Sequence, residues 1–243
     1  MSKRQTSLYC FSPPVMLATF MIEIIGALYI LWRYKLTATS RLIVSILICL
    51  AAFQGAEYML CGGMGVTGGR WSQLGYSAIT LLPPLGIHLA MTLAKKKNVA
   101  LLTAAYGSAV FFVGYFTFYT AAISGHTCYA NYVVFDGSQS VIPMIAYAAY
   151  YYGWLIVGTG LPLYFASQKK LRKVRPALHA LAAGYAAFIV PTTAINIADP
   201  STVAGIPSIM CGFAVLLALV LIAKVAPESL YVKNSPRSLR IRY

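Results

Sequence analysis

PPVMLATFMIEIIGALYILWRYK, residues 13–35, is almost wholly apolar as far as Trp32, carries one carboxylate at Glu23, and turns basic at Arg33 and Lys35. An α-helix rises about 1.5 Å per residue, so about 20 such residues cross the roughly 30 Å hydrocarbon core of a bilayer. The run reads as a retained membrane-spanning helix; no small-residue cleavage site follows it, which sets it apart from a signal peptide. The whole chain has the same character. Of 243 residues, 59% are hydrophobic and 10% charged, and the mean hydropathy is +0.72, whereas a soluble domain has about 25% charged residues.

Runs of this length recur over 13–32, 41–61, 71–94, 99–119, 141–166, 177–198 and 206–225. They predict an all-α membrane protein: one domain over 1–243, folded as a seven-transmembrane helix bundle. A membrane β-barrel is excluded because the runs are continuous, where barrel strands alternate apolar with polar residues. Helices also satisfy their own backbone amides, as hydrocarbon requires.

Basic residues set the orientation. Arg33, Lys35 and Arg41, then Lys95 to Lys97, then Lys169, Lys170, Arg172, Lys173 and Arg175, and finally Lys224, Lys233, Arg237, Arg240 and Arg242 occupy alternate connections. Only Lys3, Arg4 and Arg70 remain for the other side. The positive-inside rule then predicts an outer N-terminus, a cytoplasmic C-terminus and a multi-pass place in the cell (inner) membrane. The net charge of +14 is thereby explained by topology, with anionic head groups as its partner and no role for nucleic acid.

In this orientation Cys10, Cys61 and Cys128 lie at or beyond the outer surface, and Cys49 and Cys211 lie inside spans. Cys61 and Cys128 each anchor an outer loop, LCGGMG and GHTCYANYVVF. A Cys61–Cys128 disulfide is favoured if that compartment is oxidising; the alternative is that these cysteines pack as small apolar residues. The loop SGHTCYANYVVFDGSQS lacks Lys and Arg and alternates aromatic with β-branched residues from Tyr129 to Phe135, a pattern for a short hairpin or lid over the bundle. GGMGVTGG, residues 62–69, reads as a compact turn between the second and third spans.

Ionisable groups inside spans cost about 2.5–3.5 kcal/mol on insertion scales and usually face the bundle interior. Glu23, Glu57 and His88 are of this kind. Counting along the helices puts Glu23 near mid-membrane, Glu57 in the outer third and His88 in the inner third. Glu57 therefore shares a depth with Asn196, and with Gln54, Tyr58, Trp71 and Gln73 these residues outline a polar outer pocket. Arg70 is the nearest cation in sequence to Glu57, and His88 pairs with Glu23 if the first and third spans are neighbours. Glu57 has two readings, a ligand- or proton-sensing group and a hydrogen-bonded packing residue. Pro83, Pro84 and Pro191 kink the third and sixth spans, and YAAYYYGW, residues 147–154, offers aromatic surface for a cavity wall or for plain packing.

Several chemistries lack their residues. A retinal protein needs a lysine midway along the seventh span, and the lysine there, Lys224, sits at the cytoplasmic end. Intramembrane zinc hydrolysis needs several histidines and an aspartate in spans; the three histidines fall on separate segments. Haem held by His88 and His179, both on the cytoplasmic side, is an outside alternative without a motif, and no cofactor is otherwise expected. No P-loop, dinucleotide fingerprint or nucleophile elbow occurs.

The basic turn RYKLTATSR, the acidic-aromatic pair in AEYML, the tryptophan opening RWSQLGYSAITLLPPLGIHLA and the basic AMTLAKKK resemble the N-terminal seven-transmembrane sensor region of bacterial membrane histidine kinases. The resemblance implies framework or sensing roles for Glu57, Trp71, Pro83 and Pro84. Unlike those proteins, the chain is expected to have no kinase domain after VAPESLYVKNSPRSLRIRY, so any signal would pass to a protein partner. The leading expectation is a non-enzymatic sensor or receptor-like protein whose outer pocket binds a small molecule or lipid. Two alternatives stand beside it: an accessory subunit of a larger membrane complex, and a carrier of a small solute or protons using Glu23, Glu57 and His88.

Overall fold

A computed structural model describes residues 13–61, 69–119, 122–129, 132–137 and 141–233. Cys10 and the expected glycine-rich turn at 62–68 lie outside the described residues. The first apolar run forms α1, Pro13–Arg33. It turns sharply into α2, Ala38–Cys61, through a reciprocal cap. The Ser40 hydroxyl accepts the Thr37 N–H at 2.7 Å, and the Thr37 hydroxyl accepts the Ser40 N–H at 3.2 Å. Serine thus does at the third helical position what Glu does in a capping box.

The third run is broken in two, α3 over Gly69–Thr80 and α4 over Leu82–Leu93. Pro83 and Pro84 cause the break: neither has an N–H, so the carbonyls of Ile79 and Thr80 lose their helical donors. The bundle supplies a replacement. The Tyr150 hydroxyl donates to the Thr80 carbonyl at 2.6 Å, and the Thr80 hydroxyl donates to the Tyr76 carbonyl at 2.6 Å. With its proton so committed, the Thr80 hydroxyl accepts from Tyr147 at 3.0 Å. Tyr150→Phe leaves a buried carbonyl unpaired and is expected to cost about 1–3 kcal/mol, measured as a lower thermal midpoint in detergent; an unchanged midpoint would show that the kink needs no such support.

The helices α5, Val99–Phe118, and α6, Val141–Ser167, follow, then α7, Arg175–Ala198. A 3-10 turn at Pro200–Gly205 leads into α8, Ile206–Val220, which continues through a π turn at Leu221–Val225 into α9, Ala226–Ser229. Among the described residues six helices have the length and apolarity to cross a membrane, from Pro14–Arg33 to Pro200–Ser229. The other long one, α6, has 27 residues and no charged side chain, but Tyr147 and Tyr150 to Tyr152 dilute its apolarity.

Between α5 and α6 two antiparallel strands form, β1 over Ile123–Cys128 and β2 over Val133–Gly137, with Cys128 opposite Val133 and His126 opposite Phe135. The hairpin appears where the sequence suggests one, with a shift. Tyr129 and Tyr132 belong to the turn, their rings stacked at 5.0 Å, and only β2 uses the aromatic and β-branched alternation. Val133 and Phe135 are buried and Val134 is half-buried, the period-two signature of a strand lying on a core.

Burial separates the centre from the rim. The apolar stretch of α3 and α4 is 72% buried and that of α2 56%, against 22% for α5. α2 packs on α1, α3, α4 and α8. The rim exposes Leu28, Trp32, Phe111, Phe118, Ile142, Ile156 and Ile197, more contiguous apolar surface than a water-soluble monomer carries. The chain is accordingly of the multi-pass membrane type.

The two ends of the bundle differ. At one end the 231–233 segment is tied to the α1–α2 turn: the Lys35 N–H donates to the Tyr231 carbonyl and the Lys233 N–H to that of Arg33. At the far end of α2, Cys61 is joined to Cys128 by a disulfide with Cα atoms 5.8 Å apart.

Candidate functional site

Two carboxylic side chains sit inside the bundle. Glu23, midway along α1, is 0% exposed, and Glu57, one turn from the end of α2, is 1% exposed. α1 packs against both α2 and α8, and this brings Glu57 within electrostatic reach of Glu23. Among the described residues, both Glu23 oxygens and Oε1 of Glu57 have no hydrogen-bonding partner, and Nε2 of Gln54, one turn before Glu57, has none either.

The second neighbour is α8. Ser208 and Cys211, three residues apart and so on one helical face, are both buried. Ser208 lies near enough to Glu57 to act on its carboxyl, and its Oγ accepts the Val133 N–H of β2 at 3.0 Å. The Cys211 thiol is within electrostatic reach of both carboxyls. Thus one serine fixes the hairpin to α8 close to a carboxyl buried in the helices.

Neither expected cation is present at the pair. Arg70 is exposed at the start of α3. His88 does not pair with Glu23: its Nδ1 lies 3.1 Å from the Tyr106 hydroxyl, with the two rings edge to face between α4 and α5. The reason is lateral, because α1 packs on α2 and α8 while His88 stands on the far side of α2. An unpaired charge in so dry a site is costly. Among the described residues no basic side chain pairs with either carboxyl.

An aromatic layer closes the site. Phe135 of β2 lies 5.9 Å from Phe53 and 5.1 Å from Tyr76, centroid to centroid. Tyr76 continues the layer to Phe116 at 4.8 Å and Tyr147 at 5.8 Å. Together with the disulfide, these rings hold the hairpin down as a lid.

The other residues outlined in sequence are dispersed. Asn196 is engaged locally, its Oδ1 2.7 Å from the Thr202 hydroxyl. Tyr58 is half-buried against the core, and Trp71 and Gln73 are half-buried in the first turns of α3. His179 is exposed on α7. Asp199 caps the 3-10 turn by accepting from the Ser201 hydroxyl at 2.6 Å and the Ser201 N–H at 3.0 Å; these bonds hold its carboxyl below the ordinary value. Within 3.0 Å of where a Cβ on Gly205 would stand lie ring atoms of Tyr132, and burial raises that phenol above its usual value. Gly205 thereby seats the hairpin turn on the α7–α8 connection.

Ser208 and Cys211 were missed in the sequence. Their signal was a pair of small polar side chains at helical spacing in an otherwise apolar run, PSIMCGFAVLLALV. No family model, curated protein or solved structure matches the chain.

Proposed function

We propose that this is a seven-span membrane sensor, with its N-terminus and hairpin outside and its C-terminus in the cytoplasm. A small molecule or lipid acts on the lid from outside, and the signal leaves through a protein partner on the basic face. The observation that carries the reading is the Val133 N–H held by Ser208 at 3.0 Å, because it fixes the lid to a buried serine that also lies near the carboxyl of Glu57. The likeness of residues 33–97 to histidine-kinase sensor regions adds support, and the cell membrane is the location that the basic turns favour.

Glu57→Gln keeps the shape and removes the ionisable group. It should leave expression intact yet change amide-exchange protection of Val133 and Phe135 by about tenfold, the scale of one hydrogen bond. Identical lid exchange in wild type and variant would sink the reading. A stoichiometric companion retained through mild-detergent purification would point instead to an accessory subunit. The unpartnered oxygens of Glu23 and Glu57 favour, as a second reading, a proton or cation carrier. In that case proteoliposomes should show a flux that Glu23→Gln removes, and a flux no greater than in empty vesicles would refute it.

A further inference from the structure

A groove of about 280 Å³ opens at the basic end of the bundle, between the end of α4, the start of α5 and the last turns of α6. Its wall is apolar, formed by Met91, Leu101, Leu161 and Phe165, and Lys96 and Gln168 stand at its rim. Backbone geometry aims the rim. Lys95 adopts φ 52°, a left-handed conformation that glycine usually takes at helix ends. The Lys96 N–H donates back to the Met91 carbonyl at 2.9 Å and that of Lys95 to Thr92 at 3.1 Å. The chain therefore turns abruptly and sets Lys96 beside the groove. Asn98 also lines it, with its Oδ1 committed to capping α5 through the Leu101 N–H at 3.0 Å.

We propose that this groove seats one anionic phospholipid, its phosphate against the Lys96 ammonium and the Gln168 amide, and the first carbons of one acyl chain along the apolar wall. Charge complementarity points to an anion: Lys95, Lys96 and Lys97 are all exposed in this turn, and no acidic residue lines the groove. Amphipathic lining points to a lipid, since a free phosphate would leave the four apolar side chains unused. The order of the lining, from the lysine turn to apolar side chains in the last turns of α4 and α6, matches that of head group and chain at a bilayer surface. The proposal rests on the bilayer-spanning placement of the bundle and not on the coupling of the lid to Glu57.

The full-length protein is reconstituted in phosphatidylcholine vesicles with and without phosphatidylglycerol, and thermal midpoint and lipid retained after detergent extraction are measured. Phosphatidylglycerol should raise the wild-type midpoint and remain bound at about one per chain. Lys96→Ala should weaken retention about fivefold, and Leu161→Trp, which fills the wall with the charge left in place, should abolish it. Lys173→Ala, in the next basic connection, should behave as wild type. The proposal is overturned if Lys96→Ala retains the lipid as wild type does, or if Lys97→Ala and Lys173→Ala weaken it equally, which would mean a diffuse surface attraction. It is overturned too if soluble glycerol phosphate gives the same midpoint gain. Unaltered lid exchange in the Lys96→Ala protein separates the fate of this site from that of the sensor reading.

Discussion

Cys61→Ser and Cys128→Ser should each lower stability by about 2–4 kcal/mol, the largest single-site effect expected in this protein. The bridge closes a loop with a sequence separation of 67, for which chain entropy alone predicts about 4 kcal/mol at 25 °C. A disordered membrane chain keeps much of its helical structure, so fewer conformations are there to be removed, and the observed effect should fall toward the lower half of that range. The loss should concentrate at the lid, leaving β2 held by Ser208 and by Phe135 against Phe53 and Tyr76. In detergent, dithiothreitol should reproduce the midpoint drop in wild type and add nothing in either variant. A wild-type midpoint indifferent to reductant would show that the bridge does not stabilise the bundle.

Gly86→Ala should cost about 1–3 kcal/mol, the range for overpacking a close contact. A Cβ at residue 86 would overlap the Tyr185 hydroxyl and come within 2.5 Å of Cζ and 3.1 Å of Cε2. Tyr185 is among the largest fully buried side chains, at 1% exposure, and a rigid ring on α7 has little room to yield. Among the described residues its hydroxyl has no hydrogen-bonding partner, so Tyr185→Phe alone should be neutral or mildly stabilising, within about 1 kcal/mol. The double variant should be less destabilised than the sum of the single ones by at least about 0.5 kcal/mol. Strict additivity would mean that α4 and α7 do not meet at this glycine.

The positions of the helices were legible because hydrocarbon imposes a one-dimensional rule, about 20 apolar residues per crossing. The expected runs 41–61 and 99–119 correspond to Ala38–Cys61 and Val99–Phe118. Where local chemistry decides, the sequence was also sufficient. The prolines at 83 and 84 placed the break in the third run, and two connecting segments, each with one cysteine, pointed to the disulfide. The expected run 141–166 likewise corresponds to α6, Val141–Ser167, whose Tyr147 and Tyr150 hold the Thr80 hydroxyl and carbonyl.

What the sequence by itself determined is therefore the axial coordinate: which residues are helical and where the third run breaks. Only the tertiary structure decided the lateral one. A carboxyl in an apolar run signals an inward face without naming its neighbour, because many rotations and orders of helices bury the same face equally well. Packing of α1 against α2 and α8 settled that choice, setting Glu23 within reach of Glu57 and Cys211, turning His88 toward Tyr106, and leaving Asn196 to Thr202.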